Sequence, residues 1–449
     1  MKRTFVVAIL YGLCIILVMT LMQHVNISGV IVQEGRRILP ALDVHTYLFD
    51  QTIIATGHRL PTDMEESLYS ALNSSRRLRS TNPEDRGEAL VELLPANWSS
   101  PEIQPWQQFI NNIHRHVFYS EDDPLVDEVI HRMKSLRITE IIVKSWTGTE
   151  FKFFFTLADG TPIIAKPMRL MINNEPPPNM SKDDFYERFQ SEVAAYHLSR
   201  ILKLHFVPPV VSRYVNLTSE IYQLAPDSLK KTFLNNTNGV RCFTGHCLKK
   251  CDKEHPICGH PDVIPVSFGL LLPDLISNAW IPNTVFGRTA AIFGKRTFCK
   301  ELREEINKIS SASRSHLDIV DINLFDFIQG NLDRHHYGQI IQFGNNSYPV
   351  LFDNGRGFAR SYQDEFDLLY PMYKCCKIRQ STFEKLMNVY QKEGGLREAM
   401  RRSLKSELVH PLLTEDQLFA LDRRLVKVLE VIYGCIGTNI EGVIINDGY

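Results

Sequence analysis

The chain has 449 residues, 44% of them hydrophobic and 22% charged, which is enough apolar material for a large packed core and excludes wholesale disorder. Fifty Lys and Arg balance 51 Asp and Glu, so nothing in the net charge calls for a nucleic acid or an anionic membrane surface as partner. No internal repeat or long low-complexity tract divides the chain, and one large two-lobed domain or two domains is the expected organisation.

Lys2 and Arg3 precede an uncharged stretch from Thr4 to Met22, which as a helix would rise about 28 Å, the thickness of a bilayer's hydrocarbon core. Positive charge kept on the cytoplasmic side makes residues 1–3 a short tail, residues 4–22 a single-pass type II signal anchor, and the remainder lumenal. The alternative is a cleaved signal peptide, whose apolar region is usually shorter and ends in small residues. Residues 23–100 mix polar runs with short apolar pieces and read as a lumenal stem. Arg76, Arg77 and Arg79 within it mark either a processing site, releasing a secreted form, or a solvated face. Sequons at Asn26, Asn73, Asn97, Asn179, Asn216, Asn235 and Asn345 agree with lumenal exposure and glycosylation.

Cys14 falls in the apolar span, leaving Cys242, Cys247, Cys251, Cys258, Cys299, Cys375, Cys376 and Cys435. An even count in an oxidising lumen reads as four disulfides, with pairing open. A zinc site at Cys242, Cys247, Cys251 and Cys258, near His246 and His255, is the alternative.

From Pro105 to Leu136 apolar residues recur at helical spacing, with a break near Asp123-Pro124, giving two helices whose Trp106 and Phe109 are most simply core. The period then changes. Ile138 to Val143, Phe151 to Leu157 and Pro162 to Lys166 are successive antiparallel strands, parted by Thr147-Gly148-Thr149 and by Asp159-Gly160. A Pro-rich loop at 175–178 leads to a helix expected from Asp183 to Leu202 with Ser181 as its cap. Further strands are expected through Val210 to Ile221 and Ser267 to Leu272. From about Asn278 the chain is expected to be mostly helical.

The chemistry concentrates between Asp318 and Phe358. A helix from Asp318 to Ile328 ends at Gly330-Asn-Leu-Asp333-Arg-His-His-Tyr337, and a strand from Tyr348 runs into Asp353-Asn-Gly355. Phosphoryl transfer needs one carboxylate to take the proton of the attacking hydroxyl and another to hold the metal on the phosphates. Asp333, on a loop after a helix, and Asp353, at a strand end twenty residues on, stand in those contexts. Upstream, Lys166 closes an apolar strand where an ammonium can meet phosphate oxygens. Glu187 or Glu192 can supply its ionic partner or a metal ligand. His335 and His336 are expected to pack or hydrogen-bond, since adjacent side chains diverge.

Asn331-Leu-Asp-Arg-His-His-Tyr337, Asp353-Asn-Gly-Arg-Gly-Phe358, Cys375-Cys-Lys-Ile-Arg379 and Glu192-Val-Ala-Ala-Tyr-His-Leu198 together resemble the secretory-pathway kinases that include the Golgi casein kinase and the glycosaminoglycan xylosylkinase. The likeness covers roughly Pro105 to the C-terminus. It implies an α+β, two-lobed atypical protein-kinase-like fold, with an antiparallel-sheet small lobe, N-terminal helices and Cys-rich insert in residues 101–275 and a mostly helical large lobe in residues 276–449.

By the same likeness Asp333 is the catalytic base, Glu187 and Asp353 hold manganese (magnesium being equally acceptable to such oxygens), and ATP contacts Lys166, Glu187, Asp353 and the hinge strand Gly269, Leu270, Leu271 and Leu272. The expected bridges are Cys299–Cys375, Cys376–Cys435, Cys242–Cys258 and Cys247–Cys251. Glu187 separates the chain from the family's pseudokinases, which carry glutamine there. Glu150 and Gly338 depart from the family's glutamine and acidic residue at positions expected to touch nucleotide. Cys251 to Asp262, Asp353 to Phe358 and Arg137-Ile-Thr look more like the casein-kinase branch. The resemblance therefore implies a Golgi-lumen Ser/Thr kinase of secreted proteins, with Ser-X-Glu acceptors. A kinase of the proteoglycan linker xylose and an inactive activator scaffold are the other readings. A homodimer, or a heterodimer with a family pseudokinase, is the implied assembly.

Overall fold

The computed structural model describes residues 59–77, 103–114, 117–120, 122–143, 148–181, 184–234, 239–272, 276–280, 297–307, 315–438 and 442–447. The chain divides into residues 1–60 and 61–449, and the architecture below belongs to the second unit. The 4–22 span lies outside the described residues, as do Asn26, Asn97, Asn235 and the side chain of Asn345. Among the described residues no helix is long and apolar enough to cross a membrane. Asn73 and Asn179 are exposed, and Asn216 is half-buried.

Part of the expected stem is a folded helix. In α1 (Thr62–Arg77), Leu68 and Leu72 are buried and Arg76 pairs with Glu384 at 3.0 Å, so this segment packs on the C-terminal helices. Two helices follow, α2 (Pro105–Asn111) and α3 (Pro124–Ser135). Asp123 starts α3 by accepting the Leu125 N–H at 2.9 Å, and Pro124 costs nothing at a position where no intrahelical donor is needed. Phe109, Val126, Val129 and Met133 are buried as the helical spacing requires, and Trp106 donates to the Asp159 carbonyl at 3.3 Å.

Strands β1 (Ile138–Ile142), β2 (Phe153–Leu157) and β3 (Pro162–Pro167) form the antiparallel meander read from the sequence. Helix α4 spans Phe189–Ile201, six residues later than expected, and Ser181 is not its cap. The reason lies in the backbone donors. The Glu187 N–H goes to Glu150 Oε1 and the Arg188 N–H to the Gly355 carbonyl, so tertiary contacts hold the preceding segment extended. Strand β4 (Val210–Asn216) stops where the Asn216 side chain caps a one-turn π-helix at 217–222.

A short α5 (Asp227–Lys230) precedes the small antiparallel sheet of β5 (Phe233–Leu234), β6 (Cys242–Phe243) and β7 (Ile257–Cys258). Strand β8 (Val263–Leu270) then inserts between β3 and β4, completing the order β1-β2-β3-β8-β4.

The region after Asn278 is not wholly helical, because β9 (Ile276–Trp280) pairs with β10 (His336–Ile340), which pairs with β11 (Pro349–Val350). The rest is built on α6 (Thr297–Asn307), α7 (Ser315–Gln329), α8 (Tyr370–Cys375), α9 (Gln380–Gln391), α10 (Gly395–Leu404) and α11 (Glu415–Gly437), with β12 (Ile378–Arg379) parallel to β13 (Ile444–Ile445). All eight expected sulfurs are bridged, as Cys242–Cys258, Cys247–Cys251, Cys299–Cys375 and Cys376–Cys435. The Cys-rich cluster is therefore covalent, and no thiolates remain there for zinc.

A buried polar knot fastens α4 to the helical lobe. Glu407 receives the Ser212 N–H at 2.6 Å and hydroxyl at 2.8 Å, pairs with Lys134 at 2.9 Å and meets His197 Nε2 at 3.3 Å, while His197 Nδ1 lies 2.6 Å from the Ser403 hydroxyl. Burial alone would raise the Glu407 carboxyl, but the bonds and charges of His197 and then Lys134 bring it down to about 2. Its folded value lies below the ordinary 4.5, so the carboxylate stabilises the fold above that pH and loses its contribution as pH falls toward 2. The difference corresponds to about 3 kcal/mol. Glu407→Gln is expected to cost that amount in urea unfolding at pH 7 and much less near pH 3; an equal loss at both would show that the charge contributes nothing.

Candidate active site

Alternation along β3 buries Ile163 and Ala165 in the sheet's core and turns Ile164 and Lys166 into a cavity of about 610 Å3 between the lobes. Ser267 and Gly269 of β8 line it on the same principle, followed by Leu270, Leu271 and Leu272. A cavity of this volume is in the range that takes a nucleotide-sized ligand.

Three carboxylates converge on the Lys166 ammonium. Glu187 Oε2 and Glu192 Oε1 each stand 2.6 Å from Nζ, and Asp353 Oδ1 forms a short ion pair with it. The sequence left Glu187 and Glu192 as alternatives; both occupy the cluster, Glu192 from the first turn of α4 and Glu187 from the extended lead-in. Burial disfavours the Lys166 charge, but Asp353, Glu187 and Glu192 hold its proton well above the ordinary lysine range. Burial likewise opposes the Asp353 charge, and Lys166 and then Lys152 overcome it, keeping this carboxyl well below the usual carboxylate range.

Asp353 has φ +64°, a conformation that costs a non-glycine residue about 1 kcal/mol. The geometry is held from outside: the Asn354 N–H donates to Glu192 Oε2 at 3.0 Å, and Arg334 bonds the Phe352 carbonyl and the Asn354 side chain while pairing with buried Asp326 at 3.1 Å. Arg334 thereby ties the loop carrying Asp333 to the strand end carrying Asp353.

Helix α7 ends at Gly330, φ +69°, where an added Cβ would lie 2.8 Å from the buried Arg424 guanidinium. In the loop that follows, the Asp333 N–H donates to Asn331 Oδ1 at 3.0 Å. The Asp333 carboxylate faces the cavity, with Oδ2 3.2 Å from Arg356 Nε. His335 and His336 stand beside it on the cavity wall, their rings 4.3 Å apart, and burial and then His335 lower the His336 imidazole's affinity for a proton.

Two residues expected at the nucleotide are not among those that line the cavity. Gly338 lies in β10 between Val350 and Asn278, and Glu150 sits off the cavity wall, bonded to the Glu187 backbone. Arg360, an obvious cation beyond Asp353, donates to the Pro177 and Met180 carbonyls and covers the Phe185 ring, so it fastens the Pro-rich loop. Lys152, Lys249 and Arg356 do line the cavity. Of these, Arg356 is legible from its place just beyond Asp353, whereas nothing in the sequence singles out Lys152 or Lys249.

A lysine on the third strand, carboxylates from the following helix and a strand-end aspartate, with a second aspartate on the loop after a helix, define a kinase-like phosphotransferase. Residues 104–442 match the family described as "Fam20C: Golgi casein kinase, C-terminal, Fam20", and the chain belongs to that family. It is 35% identical to the human extracellular serine/threonine protein kinase FAM20C, over 85% of this chain and 67% of that protein. It is 32% identical to the human glycosaminoglycan xylosylkinase, over 77% and 83%. The crystal structure of the Golgi casein kinase with Mn/ADP bound superposes with a TM-score of 0.69 at 30% identity, covering 77% of this chain and 84% of that one. The protein is thus a kinase of the secretory pathway.

Proposed function

We propose that the chain transfers the γ-phosphoryl group of ATP to serine or threonine hydroxyls of secreted proteins, with Ser-X-Glu sites preferred. The observation that carries the reading is one cavity holding Lys166, the Glu187–Glu192–Asp353 cluster and Asp333. Asp333 takes the proton of the acceptor hydroxyl as its oxygen attacks the γ-phosphorus and the bond to the leaving ADP breaks. Lys166 holds phosphate oxygens, and the apolar strand end Gly269 to Leu272 receives the adenine.

Carboxylate oxygens of Glu187, Glu192 and Asp353 lie within 4.8 Å of one another, a set of hard donors that fits Mn2+ or Mg2+. A cation held there would neutralise phosphate charge. Gly355 permits this cluster: an added Cβ would lie 2.9 Å from Glu187 Cβ and 3.3 Å from Glu192 Oε1. Gly355→Ala is expected to lower kcat/KM by about a hundredfold, with the thermal midpoint little changed. A variant of near wild-type rate would show that the approach of Gly355 to Glu187 does not matter.

The sequence-based setting completes the proposal: a Golgi lumenal enzyme on a type II anchor at residues 4–22. The second reading, xylose phosphorylation, is favoured by the His335, His336 and Phe352 rings beside Asp333, which suit a sugar. An inactive scaffold would have no use for the complete set of carboxylates. The test offers the full chain ATP and Mn2+ with a Ser-X-Glu peptide, its Ser-X-Gln counterpart and a galactosyl-xyloside. A charge-assisted contact to the acceptor's acid predicts about ten- to a hundredfold lower kcat/KM on the Gln peptide. Equal use of both peptides, or activity on the xyloside alone, overturns the acceptor assignment.

A further inference from the structure

Off the cavity wall a second set of charges surrounds the lead-in to Glu187. Glu150 is only 2% exposed and accepts the Glu187 N–H at 3.0 Å. Its carboxylate faces Lys250 Nζ at 3.6 Å and Arg169 Nε at 3.9 Å. The Lys250 ammonium also donates to the Asp184 and Phe185 carbonyls, at 2.8 Å each, and sits 4.1 Å from the centroid of the Tyr186 ring. One side chain thus grips three consecutive residues immediately before Glu187.

Lys250 is itself held. It stands at φ +61° inside the loop closed by Cys247–Cys251, and its carbonyl accepts from Arg169 Nη2 at 2.7 Å. The neighbouring Lys249 N–H donates to the Thr149 carbonyl at 2.8 Å, joining the bridged loop to the turn that carries Glu150.

We propose that Lys250 is a positioning residue for the Glu187 carboxylate, kept in place by the Cys247–Cys251 bridge. This rests on the reading of Glu187 as a metal ligand. Glu187 must stay among carboxylates that repel it, and its N–H is anchored to another buried carboxylate. Lys250 offsets the charge of that anchor and fixes the chain before it. Without Lys250 the Asp184 and Phe185 carbonyls lose their common donor, and the backbone that leads into Glu187 is no longer held.

The test measures Mn2+ affinity of the full chain without nucleotide, from the electron paramagnetic resonance signal of free Mn2+. Lys250→Met is expected to weaken binding about tenfold, the size of effect seen when the partners of metal ligands are lost. Lys250→Arg should restore most of it, and Cys247→Ser/Cys251→Ser should weaken binding in the same direction. If Lys250→Met does not fold, Glu150→Gln/Lys250→Met, which removes both buried charges together, reads the same tether and should still bind more weakly than wild type. Glu187→Gln is the control. Wild-type affinity in the Lys250 variants alongside weakened Glu187→Gln overturns the proposal. Wild-type affinity in Glu187→Gln instead overturns the metal reading beneath it.

Discussion

Asp333→Asn is expected to lower kcat by about 10² to 10⁴, the usual worth of a general base, while leaving Mn2+ and ATP binding nearly intact. The substitution preserves side-chain shape. It also leaves the Asp333 N–H bond to Asn331 Oδ1 in place, so the loop keeps its conformation. What changes is the acceptor for the hydroxyl proton. Arg356 Nε stands 3.2 Å from the wild-type Asp333 Oδ2. Steady-state turnover on the acceptor peptide, together with the thermal shift produced by Mn2+ and ATP, separates the two effects. Turnover within a few-fold of wild type would remove Asp333 from the chemistry, whereas loss of the thermal shift would give it a binding role.

The two aspartates were visible in the sequence because each follows a segment of unmistakable period: a helix of buried Val320, Leu324 and Phe327 before Asp333, and an apolar strand before Asp353. The strand meander was visible for the same reason. What the sequence hid was set by partners far along the chain. The late start of α4 depends on Glu150 and Gly355 taking the donors of residues 187 and 188, so a helix pattern extended backward through Glu187 predicts the wrong backbone for that residue. β9 is a strand only because β10 lies beside it. Arg360 and Arg356 look alike in the sequence, yet one clasps a Pro-rich loop and the other faces the base. The cysteine count announced four bridges, but their pairing came from family resemblance.

Asp353→Asn should abolish the Mn2+-dependent thermal shift with ATP and lower kcat/KM by about 10³, because it removes the charged donor that faces both Lys166 and the cation site. Asparagine is the informative choice. At φ +64° asparagine is among the residues that accept the left-handed backbone, whereas alanine would add conformational cost to the loss of the ligand. Asp353→Ala should therefore be less stable than Asp353→Asn while equally inactive. A retained Mn2+-dependent shift in both variants would place the cation elsewhere. The opposite order of stability would mean that the left-handed turn is not what holds Asp353.

Helix α4 has a bearing on how such an enzyme could be switched. Every residue from Phe189 to Ser199 is buried, and the Glu407 knot bolts its His197 to the segment after α10. Where a two-lobed kinase is controlled by swinging this helix, the swing needs a solvent-facing side and a weak seat. Neither exists here, and moving α4 would expose buried Phe189, Val193, Tyr196 and Leu198 and strip the Glu407 carboxylate of its His197 partner. Repositioning α4 as a lever would therefore cost the fold both that burial and the contacts of His197 with Ser403 and Glu407.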